Sequence, residues 1–115
     1  MPMLLDLSTL TELYPGREGR RQFLQRALEI MREDRQALRD TLERHAYAEA
    51  GELAHRLQGS AAFLTGDPEQ CAAILVPLEQ AARKGLATVA QDTLATALSH
   101  LMALESAIEQ EIQAD

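Results

Sequence analysis

Apolar residues recur at spacings of three and four along most of this chain, and clusters of turn-forming residues interrupt them. That pattern predicts helices throughout. The first is short: Asp6 or Ser8 can cap a helix carrying Leu7, Leu10 and Leu13, and Tyr14-Pro15-Gly16 ends it. About eight residues are not stable alone, so this helix is expected to lie across the end of the others as a lid. The second runs from about Glu18 to Arg44, roughly 40 Å, with Phe23, Leu24, Ala27, Leu28, Ile30, Met31, Leu38 and Leu42 on its apolar side. Between Met31 and Leu38 it carries Arg32-Glu33-Asp34-Arg35-Gln36-Ala37, read as a solvated stretch with local ion pairs. His45-Ala46 marks the next break, where a histidine suits a helix C-terminus.

The third helix is expected from Tyr47 to Thr65, stopped by Gly66. Asp67-Pro68-Glu69-Gln70 then starts a fourth, with a capping Asp and Pro at the first helical position. It runs to about Lys84 before Gly85, with Ile74, Leu75, Leu78, Ala81 and Ala82 inward and Pro77 as a kink. The last begins near Thr88, with Gln91 completing a capping box, and repeats Ala90, Leu94, Ala97, Leu101, Leu104, Ile108 and Ile112. Short connections make consecutive helices antiparallel neighbours. The expected fold is all-α: an antiparallel up-down four-helix bundle with a short extra helix at the N-terminus, one domain over residues 1–115.

Composition supports that class. Apolar residues make up 46% of the 115, while aromatics are 3% and Trp is absent. The core must therefore be mostly Leu, Ala, Ile and Val. The net charge of −7 argues against nucleic acid as a partner, because a phosphate backbone calls for a basic footprint. There is no run of about 18 apolar residues to span a membrane, and Met1-Pro2-Met3-Leu4-Leu5-Asp6 lacks the basic start of a leader. Cys71 stands alone, so no intrachain disulfide forms, and a small core residue is its expected role. A cytoplasmic location is the expectation.

One stretch changes the picture from scaffold to site. On a wheel stepped at ~100° per residue, Ala50, Leu53, Ala54, Leu57, Ala61 and Leu64 share a stripe about 100° wide. His55 falls almost opposite, pointing at solvent, with Gly51, Gly59 and Ala62 along the same outer face. Two glycines inside a helix each cost roughly 1 kcal/mol relative to alanine. The expectation is that they clear space for another surface to reach the imidazole. A neutral imidazole is a nucleophile near neutral pH; with no base beside it in the sequence, His55 is set up to accept and hand on an electrophilic group.

Other chemistries lack their residues. No G-x-x-x-x-G-K-[ST] or G-x-G-x-x-G loop is present to cradle a nucleotide, and there is no H-E-x-x-H or Cys pair for zinc. Glu52 and His55 have the Glu-x-x-His spacing of di-iron bundles, but Ala97 stands three before His100, so the motif does not recur. No metal site is expected.

The run Ala54-His55-Arg56-Leu57-Gln58-Gly59-Ser60-Ala61 resembles the phosphorylation motif of histidine-containing phosphotransfer (HPt) domains, usually Ala-His-x-Leu-Lys-Gly-Ser/Ala. The likeness extends over nearly the whole chain: a short first helix, a long second, the histidine on the third, a closing Gly and two more helices. It implies that His55 is the phospho-accepting residue of a two-component phosphorelay. The group would come from a receiver-domain aspartate and pass to another receiver. Gln58, Gly59 and Arg56 would support the phosphoryl group, Gln58 standing where the family usually has Lys. Gly51, Glu52, Gly59, Ala62 and Phe63 would dock the receiver. The implied protein is a monomeric phosphocarrier rather than an enzyme; it needs no cofactor, because Mg²⁺ and the cationic groups sit on the receiver. A helical adaptor that binds a receiver or kinase through the His55 face without carrying phosphate is the alternative.

Overall fold

Gly66 and the Asp67-Pro68 pair divide the middle of the chain as the sequence demands, and the other breaks follow similar chemistry. The structure, a computed structural model, describes residues 4–114 apart from the Val89 side chain. Residues 1–3, part of the stretch read for a leader, lie outside the described residues, as does Asp115. The described residues form five helices and no strand: α1 (Leu7–Leu13), α2 (Arg17–Glu43), α3 (Tyr47–Thr65), α4 (Pro68–Arg83) and α5 (Ala87–Gln113). α2 packs on α3 and α5, α3 on α4, and α4 on α5. The long dimension of 44 Å is about what a 27-residue helix spans. None of these helices is long and apolar enough to cross a membrane.

The helix ends explain the connections. Asp6 caps α1 by accepting from the Thr9 N–H at 3.2 Å and the Thr9 hydroxyl at 2.6 Å, which holds its carboxyl below the usual carboxylate range. Its own N–H donates to the Leu64 carbonyl, tying α1 to the end of α3, while Leu5 and Leu10 are buried. At the end of α2, His45 takes the left-handed conformation (φ 59°) usually left to Gly. The Ala46 N–H then reaches back to the Thr41 carbonyl, satisfying an orphan acceptor. Asp67 caps α4 through the Gln70 N–H. Pro77 sits within α4 on its exposed side without ending the helix.

One expected cap does not form. α5 starts at Ala87 after an N-cap at Leu86 that makes no side-chain bond, so Thr88 and Gln91 are not a capping box. The reason is geometric. Gly85 (φ 68°) and Leu86 close α4 by donating to the Ala82 and Ala81 carbonyls, and α5 starts at the next residue, Ala87. The helix begins before a capping side chain is reached.

The core is leucine and alanine, as the composition requires. Leu38, Leu57, Leu75, Leu78, Leu101, Leu104 and Ile108 are fully buried, with Ala50, Ala54, Ala61, Ala82 and Ala97 between them. The stretch 32–37 of α2 departs from its reading as solvated with local pairs. Asp34 is buried and pairs with Arg56 of α3, while Arg35 and Arg32 pair with buried Glu105 of α5. The polar residues fill a gap in the apolar stripe by bonding to neighbouring helices.

Cys71 is buried, with Sγ 3.7 Å from His100 Nε2, and burial holds the His100 imidazole below the usual histidine range. His100 therefore stays neutral in the folded chain at a pH where the unfolded chain takes up a proton. Its contribution to stability is whole above about pH 6.5 and is lost as pH falls below that value toward the lower folded pKa. The melting temperature of the wild type is expected to drop further between about pH 7.5 and about pH 5.5 than that of His100→Gln. Equal drops would contradict this assignment.

Candidate functional site

The outward face of α3 carries the site, held rigid because its inward face is buried from Ala50 to Leu64. His55 stands near the middle with its side chain 71% exposed. The sequence offered no base beside it, yet α4 brings a carboxylate to the ring. Glu79 Oε1 lies 3.1 Å from His55 Nδ1. An ionised carboxylate only accepts, so the imidazole donates through Nδ1–H, and Nε2 keeps its lone pair. Glu79 is itself largely shielded, at 17% exposure, and its other oxygen accepts from Arg83 Nε at 3.1 Å. The chain of contacts runs Arg83, Glu79, His55, with the free imidazole nitrogen at its end.

Gly51, expected in the open patch beside His55, is buried instead. A Cβ built on it would meet Arg83 Cγ at 2.8 Å. This glycine clears room for a side chain of its own molecule, not for an incoming surface, and so leaves the docking set. Gly59, one turn after His55, keeps its expected place. It is exposed, and a Cβ there would meet nothing within 4 Å. The two glycines thus have different physical roles on one helix.

On the α2 side of His55, Arg56 Nη2 and Nε donate to the two Asp34 oxygens at 2.7 and 3.0 Å. The hydrogen bonds to Asp34, and then its charge, raise the Arg56 pKa above its ordinary value. Arg56 remains 62% exposed at the side chain, so it holds a fixed positive charge at the surface one residue from His55. Gln58 is half-buried, Glu52 is exposed and Ala62 is half-buried. Phe63 is 44% exposed and meets Phe23 edge-on at 6.0 Å between ring centroids. With Ala27, Ile30 and Ser60 these rings line a shallow apolar groove of about 210 Å³ between α2 and α3.

Glu79 and Arg83 are the site residues that sequence reasoning missed. A signal existed. His55 stands as many residues before Asp67 as Glu79 stands after it, and Gly51 and Arg83 are related in the same way. Folding α3 back on α4 about the Gly66-Asp67 turn brings both pairs together. The glycine that admits the Arg83 stem costs its own helix roughly 1 kcal/mol relative to alanine.

The arrangement can present a nucleophilic Nε2 of fixed tautomer, stabilise positive charge on the ring through Glu79, and admit another surface beside Gly59 and Phe63. Among the described residues no group of three or more His, Cys, Asp or Glu side chains could hold a metal ion. No protein-family model, curated protein or solved structure matches the chain.

Proposed function

We propose that this chain is a histidine phosphocarrier of the HPt type, an up-down four-helix bundle (α2 to α5) with α1 as a leading helix. It accepts a phosphoryl group on His55 Nε2 from a receiver-domain aspartate and passes it to, or takes it back from, another receiver. The observation that carries this reading is the exposed imidazole whose Nδ1 is held by Glu79 beside an open Gly59.

That geometry supports the following transfer. The Nε2 lone pair forms the N–P bond while the P–O bond to the aspartyl carboxyl breaks, and the carboxylate leaves with the electron pair. The ring, now substituted at both nitrogens, carries a positive charge that the Glu79 carboxylate faces through Nδ1–H. In-line transfer demands close approach of donor and acceptor, which a bare Gly59 permits. The receiver would supply Mg²⁺ to neutralise charge on the transferring group. Arg56 adds a positive charge from this chain, and Gln58 contributes an amide donor where the family has Lys. Phe63, with Ala62 and Glu52, extends the docking face on either side. Such a carrier works as a cytoplasmic monomer and catalyses nothing without its partner.

The alternative, an adaptor that binds a receiver or kinase but carries no phosphate, rests on Gln58 in place of Lys. Incubation with phosphorylated receiver domains separates the two. A carrier acquires label that is lost in acid and kept in alkali; tight receiver binding with no label identifies the adaptor.

A further inference from the structure

We propose that Arg83 is a positioning residue for phosphoryl transfer at His55: it clamps Glu79 across the space that Gly51 leaves, and so keeps the imidazole in its Nδ1–H tautomer. The proposal rests on the phosphocarrier reading and adds a part that the motif around His55 does not contain. Glu79 is an acceptor with two oxygens and freedom to rotate about its last bonds. Arg83 Nε fixes Oε2 at 3.1 Å, which leaves Oε1 turned to His55 Nδ1 at 3.1 Å. With Arg83 removed, the carboxylate can swing to solvent, and the imidazole can then protonate either nitrogen. In the Nε2–H form the nucleophilic lone pair points at Glu79 rather than at an incoming phosphorus atom.

Gly51 is the second, independent observation. The Arg83 stem crosses α3 over this residue so closely that a Cβ would sit 2.8 Å from Cγ. Cγ lies near the root of the side chain, so a methyl group at position 51 displaces the whole guanidinium arm and not just its tip. A glycine that weakens its own helix and makes room for the stem of the arginine that holds Glu79 is what a positioning role requires.

The test uses the full chain in wild-type, Arg83→Gln, Arg83→Lys, Gly51→Ala and Gly51→Ala/Arg83→Gln forms. Two readouts are taken: the His55 tautomer from long-range proton–nitrogen NMR, and the rate of phosphorylation by phosphoramidate. With that donor the P–N bond of the zwitterion breaks, ammonia leaves, and the N–P bond forms at Nε2. Arg83→Gln and Gly51→Ala are each expected to mix the two tautomers and to slow phosphorylation about tenfold, the low end of what loss of a histidine's outer partner costs at other sites. Arg83→Lys restores part of both. The double variant is no slower than Arg83→Gln alone, because the two changes remove the same contact. An Arg83→Gln chain with the wild-type tautomer and rate overturns the role of Arg83 while leaving the carrier reading intact. A wild-type chain that takes no phosphoryl group overturns the carrier reading, and the positioning role with it.

Discussion

Gly59→Arg is expected to stop phosphoryl exchange with a receiver while leaving the domain folded. Gly59 lies one turn from His55 on the exposed face of α3, and a Cβ there meets nothing within 4 Å. The arginine stem therefore fits the free chain without displacing anything. Arginine is also the better helix former by close to 1 kcal/mol, so the melting temperature should hold or rise. The harm falls on the complex. On the proposed phosphocarrier reading, a long side chain one turn from His55 Nε2 would keep the receiver's aspartyl phosphate out of line, and a misplacement of about 1 Å is enough to cost about 100-fold. Phosphoramidate, which needs no docking surface, should still phosphorylate this variant at close to the wild-type rate. Unimpaired receiver transfer in a folded Gly59→Arg chain would refute the approach of a receiver at this face. Equal loss with phosphoramidate would show that Gly59 acts on His55 itself.

The largest expected effect on stability is that of Glu105→Ala. Glu105 is 5% exposed, and its carboxylate accepts from Arg35 Nε at 2.5 Å and Arg35 Nη2 at 3.2 Å, with Arg32 Nε at 3.5 Å. Arg35 is itself only 17% exposed at the side chain. Removing the carboxylate leaves a guanidinium pinned against the α2–α5 seam without its partner. Breaking a buried pair from one side costs about 3 kcal/mol at the low end, which suits a pair whose arginines can partly turn to water. The melting temperature should fall by roughly 10 °C. Arg26→Ala removes the exposed pair with Glu29, both side chains more than 60% exposed, and should change stability by less than about 1 kcal/mol. Equal effects from the two substitutions would mean that Glu105 holds nothing together.

The contrast between those two pairs marks what the sequence can and cannot convey. Periodicity shows which side of a helix is apolar, and it located the buried face of α3 from Ala50 to Leu64 and the outward His55 correctly. Turn chemistry is local, so Gly66 and Asp67-Pro68 could be placed to the residue. A polar residue is different, because its partner lies on another helix and the sequence around it is silent about that partner. Asp34 therefore reads as solvated until Arg56 is seen to reach it, and Arg35 until Glu105 is. Gly51 and Gly59 look alike on the helical wheel, yet the packing of α4 separates them. Leu86 caps α5 because the closure of α4 leaves no room for Thr88 to do so. The exposure of His55 and Gly59 was legible because it is local to one helix. The approach of Glu79 and Arg83 to that face was not, because it comes from the α3–α4 turn.

The most direct test is to phosphorylate the wild-type chain and His55→Gln from a phosphorylated receiver and locate the phosphate. A phosphocarrier acquires one phosphoryl group, labile in acid and stable in alkali, on Nε2 of His55, and His55→Gln acquires none. Phosphate on any other residue, or the same labelling in His55→Gln, would contradict the assignment of His55 as the phosphoryl acceptor.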